Sequence, residues 1–537
     1  MPAFIDAKAL WWTAVYDLYN RRLAAFQQDA YARLLTQGLI GLEKENLRVA
    51  ANGTIAQTPH PRALGSALTH PNVTTDYSEA LIELITAPSS EVAVLLAQLD
   101  EIMRVVYAAL DEEILWSTSM PCVVEGETSI PIAWYGTSNS GLMKRVYRQG
   151  LAYRYGKTMQ IIAGVHFNYS FAQELWPSFT DIAGGDARHA SKSESYMSLT
   201  RNLLRLGWLV PYLFGSSPAV CRSFFPNGQS DLEAFNGTTF YAPFATSLRL
   251  SDIGYQNNRE SELGINIDYG SLPDYIESMT EAISQPHSEY QRIGVKVGGE
   301  YRQLNANRLQ IENEYYSTVR VKEIAQRLEK PTTALALRGV RYVELRSLDV
   351  SPFDPLGVCE SQLRFLELLM TFCLLHDSPP LSSDERREIS YNLQQTAVQG
   401  RDPDLTLCRG GTAIKLRAWA GELLQQLRGV AEIMDGASGA DDYARTLTEQ
   451  LERVHDSDAT PSARVLQEMR DNKESFFEFA MRWSYRHQRA LAEHPITAGQ
   501  AAEYQRRAEQ SLAEQAAMEA ADDVDFDTFL KEYFASQ

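Results

Sequence analysis

The order of element types along the 537-residue chain most constrains its fold. Strand-like runs mix with helical stretches over roughly the first 355 residues, and helical patterns dominate after that point. Strands early and helices late, without strict βαβ alternation, predict an α+β fold with a mostly antiparallel sheet. No separating linker is apparent. We therefore predict one catalytic domain over residues 1–537, with a mixed sheet-forming part (1–355) that carries the active site and a mainly helical part (356–537) packed on it.

Hydrophobic periodicity predicts the individual elements. The predicted strands are Gly38–Val49, Ala80–Thr86, Thr158–Phe171, Ala245–Leu250 and Gly339–Leu348. The predicted helices are Met1–Asn20, Ser90–Leu110, Lys192–Phe214, Glu360–Leu375, Ser382–Gln399, Ala413–Asp435, Ala440–Arg453, Ser462–Asp471 and Ile496–Ala521. Ser382, Ser462 and Thr497 are the expected N-caps.

Composition excludes several function classes. The formal net charge is −19 and the pI is about 5.0, so the basic footprint of a nucleic-acid-binding protein is missing. No apolar run is long enough to span a bilayer. The five cysteines are scattered without a CxxC pair, which argues against a disulfide framework and for a reducing compartment. We expect a cytoplasmic monomer without nucleic-acid or membrane partners.

The first candidate site lies in the stretch Gly41–Arg48, which reads Gly-Leu-Glu-Lys-Glu-Asn-Leu-Arg. On a strand, Glu43 and Glu45 point to one face, while Leu42 and Lys44 point to the other. Two stacked carboxylates repel each other unless a cation or a proton lies between them. A solvent-facing strand edge explains the pair equally well, so this stretch alone does not decide between the two.

A second acidic set surrounds the apolar run Ala80–Thr86. Glu83 lies inside this run, where an ionised carboxylate is costly unless it is paired or bound to a metal. A salt bridge to an arginine is the alternative. Asp76 precedes the run and could serve only as a turn or helix cap.

A third set alternates cleanly in Arg341–Asp349. Glu344 and Arg346 share one strand face, and Val343 and Leu345 face the core. The pair could be a plain ion pair, or Glu344 could hold a metal while Arg346 stabilises a transferred phosphoryl group. His166, in an apolar run, could be a ligand or a satisfied core residue.

Together these residues offer hard oxygen ligands with at most one imidazole. Such a set favours Mg²⁺, or Mn²⁺, over zinc or copper. The chain has no P-loop, since the nearest candidate, Gly136–Leu142, lacks the Lys-Ser/Thr ending. If ATP binds, metal ions and arginines must neutralise its phosphates.

At these residues the sequence resembles the proteobacterial-type glutamate–cysteine ligases (γ-glutamylcysteine synthetases) nearly from end to end. The resemblance is carried by seven motifs in order: Gly41–Arg48, Ala63–His70, Tyr135–Asn139, Gly164–Asn168, Tyr212–Ala219, Thr246–Asp252 and Leu309–Glu314. It implies a glutamine-synthetase-like fold in which an antiparallel sheet forms a funnel surrounded by helices. It also implies a magnesium-dependent ligase that uses ATP to join glutamate to cysteine.

The resemblance further implies roles for individual residues. Glu45, Asp76 and Glu83 would hold one magnesium ion; Glu43, His166 and Glu344 would hold the others, with Glu43 bridging two sites. Arg346 would contact the transferred phosphate, and Arg249 a substrate carboxylate. The cysteine pocket would be shaped by Tyr147, Gln160, Tyr255 and Tyr316, with Arg148 nearby and Tyr77 where relatives often carry Phe. The alternatives are a related carboxylate–amine ligase with another amine acceptor, and a two-metal phosphohydrolase.

Overall fold

A seven-stranded antiparallel sheet organises the protein. The computed structural model describes residues 17–121, 123–183, 186–254 and 263–535. Six strands follow one another in the order β11 (Val319–Lys322), β12 (Tyr342–Asp349), β5 (Gly164–Ser170), β1 (Leu39–Val49), β3 (Leu81–Ile85) and β2 (Val73–Thr75), and β4 (Ile114–Leu115) pairs with the far end of β1. The predicted α+β fold with an antiparallel sheet is therefore confirmed.

The bounds of the elements are as follows. The strands are β1 (Leu39–Val49), β2 (Val73–Thr75), β3 (Leu81–Ile85), β4 (Ile114–Leu115), β5 (Gly164–Ser170), β6 (Ala219–Cys221), β7 (Glu233–Ala234), β8 (Thr239–Tyr241), β9 (Lys296–Val297), β10 (Glu300–Tyr301), β11 (Val319–Lys322), β12 (Tyr342–Asp349), β13 (Thr406–Arg409) and β14 (Thr412–Lys415). The helices are α1 (Asp29–Leu35), α2 (Val92–Ala109), α3 (Asn139–Tyr155), α4 (Leu175–Ile182), α5 (Lys192–Leu206), α6 (Leu209–Phe214), α7 (Leu272–Ser284), α8 (Ser288–Ile293), α9 (Pro331–Arg338), α10 (Glu360–Leu375), α11 (Ser383–Gln399), α12 (Leu416–Ser438), α13 (Asp442–His455), α14 (Pro461–Asn472), α15 (Phe476–Ala492), α16 (Ala498–Ala521) and α17 (Phe526–Ala535).

One face of the sheet packs into the main hydrophobic core. Leu42, Phe167 and Leu345 belong to this face and are fully buried. Helices α2 and α10 contact the sheet, and α10 is buried on nearly all sides, as expected of a helix in the middle of a core. Lys44 points to this face, as its alternation with Glu43 predicted, and its ammonium lies 3.2 Å from the Met103 sulfur. Burial lowers the pKa of Lys44 to about 7.

Two predicted strands are wrong in part or whole. The run Thr158–Phe171 begins as a 3-10 turn (Thr158–Ile161), and only Gly164–Ser170 is a strand. The segment Ala245–Leu250 is not a strand, because the Thr246 and Ser247 amides both donate to the Ala397 carbonyl and a 3-10 turn follows. The hydrophobic pattern of such turns is the same as that of a buried strand.

The predicted helices are largely confirmed, with shifts at their ends. Lys192–Phe214 divides into α5 and α6 at Gly207, and the hairpin β13–β14 occupies the start of the predicted helix Ala413–Asp435. The helices without a counterpart among the predictions are α1, α3, α4, α7, α8, α9, α15 and α17. Of the helix Met1–Asn20, only residues 17–20 lie within the described residues, and they are helical.

The predicted caps have mixed outcomes. The Ser382 and Thr497 hydroxyls accept hydrogen bonds from the amides of Glu385 and Gln500, as expected. Ser462 is not a cap, because Thr460 takes that role and Ser462 lies inside α14.

The cysteines depart from expectation at one position. Cys221 is disulfide-bonded, which departs from the prediction made against a disulfide framework, whereas Cys359, Cys373 and Cys408 are not disulfide-bonded. Within the described part of the chain, no helix combines the length and apolar character that crossing a membrane requires. The expected monomer and cytoplasmic location stay predictions.

The C-terminal helices reach back to the sheet-forming part. The Ser511 carbonyl accepts a hydrogen bond from Thr69, and the Glu519 carboxylate accepts one from the Thr137 amide. Gly136 has a φ of +83°, and a Cβ there would lie 2.1 Å from the Gln515 side chain. The glycine thus permits both the turn and the close approach of α16.

Candidate active site

The second face of the sheet carries most of the predicted site residues. Directly opposite residues of antiparallel strands point to the same face, and Glu43 of β1 lies opposite His166 of β5. On the other side of β1, Glu45 lies opposite Glu83 of β3. Strand β12 adds Glu344, which pairs with Asn168 of β5. The register of four neighbouring strands therefore gathers distant acids into one cluster.

This face forms one wall of a cavity of about 650 Å³. The predicted site residues that line it are Glu43, Asp76, Tyr77, Glu83, Tyr147, Arg148, Gln160, His166, Glu344 and Arg346. Glu45 is 5% exposed and is not among the lining side chains. Most of the residues that the sequence analysis singled out thus meet at one cavity.

Glu43, His166 and Glu344 form a compact set of possible metal ligands. One donor atom from each lies within 4.8 Å of the other two. His166 Nδ1 is 3.1 Å from Glu43 Oε2 and 3.3 Å from Glu344 Oε1. The Asn168 amide donates to the other Glu43 oxygen at 2.9 Å, which orients the carboxylate. Two carboxylates and one imidazole at this spacing fit a divalent cation.

A second acidic group lies beside this triad. Burial raises the pKa of Glu83 well above its ordinary value, and the charges of Glu43, Asp76 and Glu45 raise it further. Burial also raises the pKa of Glu45, although His166 opposes the shift. Buried acids crowded in this way are poorly compensated by the protein alone. A cation between them would remove the repulsion, so Glu45, Asp76 and Glu83 also fit a hard metal ion.

Basic side chains occupy the β11–β12 side of the same face. Arg346 Nη1 lies 2.5 Å from Glu344 Oε1, and Lys322 Nζ lies 2.9 Å from Glu344 Oε2. Burial alone would raise the pKa of Glu344, but the charges of Lys322, Arg346, His166 and Arg320 hold it well below its ordinary value. The face is therefore divided into an acidic half on β1 and β3 and a basic half on β11 and β12.

Arg249 lies behind this basic half. It is 3% exposed and is not among the side chains that line the cavity. Its guanidinium donates to the Arg346 carbonyl at 2.8 Å and lies 3.8 Å from Asp349. A Cβ on Gly164 would be 2.1 Å from Arg249 Nη2, so the motif glycine is needed for this packing. The expected contact of Arg249 with a substrate carboxylate stays a prediction.

The predicted cysteine pocket is brought together in part. Tyr77, Tyr147, Arg148 and Gln160 line the cavity, and Arg148 stacks 4.6 Å from the Tyr135 ring centroid. The Tyr77 hydroxyl is buried without a hydrogen-bond partner among the described residues. Tyr316 is half-buried and is not among the lining residues. Tyr255 lies outside the described residues.

Several residues that line the cavity are not predicted from the sequence. Arg320 and Lys322 alternate with valines in β11, and this pattern could have been read as a charged strand face. Met518 of α16 and Tyr533 of α17 also line the cavity. No local sequence pattern indicates that these two residues reach the cavity.

Comparison with known proteins points in one direction. The family model described as glutamate–cysteine ligase matches residues 23–396. A glutamate–cysteine ligase from Pseudomonas paraeruginosa is 47% identical over 521 residues, which cover 97% of this chain and 98% of the relative. One from Janthinobacterium sp. (strain Marseille) is 45% identical over 518 residues, covering 96% and 98%.

A solved structure agrees with the sequence relatives. The crystal structure of a glutamate–cysteine ligase from Francisella tularensis, in complex with AMP, superposes with a TM-score of 0.87 at 35% identity. The match covers 93% of this chain and 98% of that one. The likeness therefore extends over nearly the whole of both chains.

Proposed function

The chain belongs to the glutamate–cysteine ligase family, and we propose that the acidic face of its sheet holds the magnesium ions with which it works. It is an ATP-dependent ligase that joins the γ-carboxylate of L-glutamate to the amino group of L-cysteine. The products are γ-glutamylcysteine, ADP and phosphate, and the reaction is the first step of glutathione biosynthesis. The observation that carries the site assignment is the Glu43–His166–Glu344 triad beside the crowded acids of β1 and β3.

Two groups of residues would hold the metal ions. Glu43, His166 and Glu344 present closely spaced donor atoms. Glu45, Asp76 and Glu83 form the second group, in which burial and the neighbouring carboxylates raise the pKa of Glu45 and Glu83, so that a bound cation would relieve the repulsion. When bound, the metal ions would neutralise the phosphates of ATP and the negative charge that develops during phosphoryl transfer. Mn²⁺ would serve by the same chemistry.

The first step joins two anions. A γ-carboxylate oxygen of glutamate attacks the γ-phosphorus of ATP, the bond from that phosphorus to the bridging oxygen breaks, and ADP leaves. Arg346 faces the cavity beside Glu344 and supplies fixed guanidinium donors for the transferred phosphoryl group. A site already charged and oriented in this way needs little rearrangement as the transition state forms.

The second step forms the amide. The cysteine nitrogen attacks the acyl carbon of γ-glutamyl phosphate, phosphate leaves with its bridging oxygen, and the nitrogen gives up a proton. The acyl phosphate would react with water, so the walls of the cavity must exclude it. Tyr77, Tyr147 and Gln160, with Arg148 beside them, form the wall that we assign to cysteine. One small substituent changes binding by only about 1–3 kcal/mol, so small amino acids such as 2-aminobutyrate should also react.

The test measures ADP and the dipeptide in parallel while glutamate, cysteine, ATP and Mg²⁺ are omitted one at a time. We expect both products only when all four are present, and recovery with Mn²⁺ after chelation. ADP formation that does not depend on cysteine would point to a phosphohydrolase. Dependence on a different amine would point to a sister ligase.

A further inference from the structure

Lys322 holds a position at the site that the metal assignments leave unexplained. It is the last residue of the edge strand β11, and its side chain reaches the cavity. Its ammonium lies 2.9 Å from Glu344 Oε2, and the Lys322 side chain is 28% exposed, whereas the Glu344 side chain is only 2% exposed. Lys322 is therefore a cation at the boundary between the buried ligand set and the open cavity.

The contact with Glu344 does not use the donors of Lys322 well. Glu344 Oε2 has no hydrogen-bond partner among the described residues, although the ammonium is close enough for one. The contact is thus an attraction of charges without hydrogen-bond alignment. An ammonium carries three N–H donors, and those of Lys322 remain for an acceptor in the cavity.

The neighbouring Arg320 has a different job. Its guanidinium donates to the backbone carbonyls of Asn313 at 2.8 Å and of Tyr315. Arg320 is 9% exposed and holds the loop after Glu312 against the strand. Of the two cations on β11, Lys322 is the one whose donors are not committed to the backbone.

Charge balance indicates what Lys322 would meet. If a divalent cation binds the Glu344 carboxylate, Lys322 loses much of its compensating charge and lies next to a second positive centre. That arrangement is favourable only when an anion lies between or beside them. The triphosphate of ATP is the most highly charged anion in the reaction, and lysine is a common point-charge partner for phosphate.

We propose that Lys322 contacts the β- or γ-phosphate of ATP, as a second phosphate-binding cation beside Arg346. The triphosphate would then lie toward the β11–β12 side of the sheet, beside the metal group that includes Glu344, with the acidic β1–β3 side left to the second metal group and glutamate. This inference rests on the proposed function, because it assumes that ATP binds at this face.

The test replaces the charge and measures nucleotide binding directly. Lys322→Met keeps the length of the side chain and removes its charge, and Lys322→Arg keeps the charge. At saturating Mg²⁺, we expect Lys322→Met to weaken binding of a non-hydrolysable ATP analogue about ten- to a hundredfold, as measured by calorimetry. Lys322→Arg should recover most of this affinity. KM for ATP should rise in parallel, whereas KM for glutamate and cysteine should change less than about twofold.

Two further measurements separate this role from a simple neutralisation of Glu344. AMP lacks the β- and γ-phosphates, so its affinity should not change in Lys322→Met; an equal loss for AMP would overturn the proposal. If Lys322 only neutralises Glu344, the Mn²⁺ affinity of Lys322→Met measured without nucleotide will differ from that of the parent, while its affinity for the ATP analogue will equal that of the parent. This combination of results would also overturn the proposal. Lys415→Met is the matched control, because Lys415 pairs with Asp404 on an exposed hairpin.

Failure of the inference differs from failure of the proposed function. A parent enzyme that forms no cysteine-dependent ADP would contradict the function itself. A parent that turns over normally beside a Lys322→Met variant with unchanged ATP affinity would contradict only the role of Lys322.

Discussion

At the scale of single residues, Glu43 is the most constrained member of the site. One carboxylate oxygen is fixed by the Asn168 amide and the other lies beside His166. Burial favours the neutral form of Glu43, but the hydrogen bond with His166 and the charges of His166 and Lys322 together outweigh it, and the net effect is a lowered pKa. Glu43 is therefore prepared as an anion before any metal arrives.

Replacing Glu43 with Gln keeps the size of the side chain and removes a metal-binding oxygen and its charge. We expect turnover to fall at least about a hundredfold while the fold is retained, because the loss is of a ligand and not of packing. ADP release, far-UV circular dichroism and Mn²⁺ binding by electron paramagnetic resonance check this. Glu91→Gln, an exposed acid outside the cavity, is the control. A Glu43→Gln variant with parental Mn²⁺ affinity would rule out the metal role.

At the scale of elements, helix α3 and the segment 303–314 form two walls of the cavity that are joined behind it. The side chains of Arg154 and Glu314 pair at 2.8 Å, and both are 0% exposed. Arg154 also donates a hydrogen bond to the side-chain oxygen of Gln303 and lies over the Tyr290 ring, while Glu314 accepts a hydrogen bond from the Gln310 backbone amide. Glu314 belongs to a motif of the family resemblance, and its structural role is to hold these walls together.

Breaking this pair should be expensive. Arg154→Met leaves the Glu314 carboxylate buried without its cation, which costs about 3–5 kcal/mol. We expect a clearly lower thermal midpoint and a higher KM for cysteine, because Tyr147 and Arg148 lie on the same helix. Scanning calorimetry and initial rates measure these effects. Arg145→Met, on the same helix but stacked on Trp134 instead, should change both far less; equal effects would contradict the assignment.

Helix α10 carries a buried acid with a consequence for pH. Glu367 is 1% exposed, and burial raises its pKa to about 7, although the Tyr443 hydroxyl at 3.1 Å opposes the shift. The folded state therefore keeps Glu367 protonated at pH values above 4.5, the ordinary pKa of this side chain, where the unfolded state has released the proton. The resulting stability is complete below about pH 4.5 and is lost as the pH rises through about 7, with a total of about 3 kcal/mol.

Glu367→Gln removes this titration. We expect the thermal midpoint of the variant to rise relative to that of the parent as the pH increases from 5 to 8, because only the parent loses the stability that comes from protonated Glu367 in that range. Differential scanning fluorimetry across the range measures the gain. Glu360→Gln, on the exposed side of the same helix, should follow the parent. A parallel pH profile for the parent and Glu367→Gln would contradict the shifted pKa.

At the scale of the whole molecule, the C-terminal segment completes a cavity that the sheet begins. Leu530 packs with Val146 of α3 and Leu304, and Tyr533 reaches the cavity. The Asp522 carboxylate accepts from the Asn139 amide at the start of α3. One hydrophobic cluster contains Leu42 and Phe372 together, so we propose that the whole chain forms the single predicted domain.

Removing α17 should therefore uncouple ADP formation from γ-glutamylcysteine formation, with a smaller effect on folding. A chain that ends after Asp523 keeps the sheet and both metal-binding groups but opens the cavity to water. We expect ADP to form in excess over γ-glutamylcysteine, because the acyl phosphate is hydrolysed before cysteine reacts. The ratio of the two products measures this. In the full chain it should be close to one, and a ratio of one in the shortened chain would show that α17 does not protect the intermediate.

The sequence predicts the parts of this molecule that depend on local pattern. Strand β1 is predicted to within one residue, because Glu43, Lys44 and Glu45 alternate between two environments. The clustering of Glu43 with Glu344 depends on strand register, which single-strand patterns do not contain, and the family resemblance supplied it. Tyr533 could not be found in this way, since its place in the cavity depends on how α17 packs against distant helices.

The late position of α17 along the chain affects how the enzyme is made. During synthesis the ligand-bearing strands emerge first, since β12 ends at Asp349 and the helix that covers the cavity begins only at Phe526. A nascent or prematurely terminated chain would therefore contain every proposed metal ligand while its reaction chamber stayed open. For the same reason, a bulky partner fused at the C-terminus would act on the closure of the cavity, although it lies far in sequence from the chemistry.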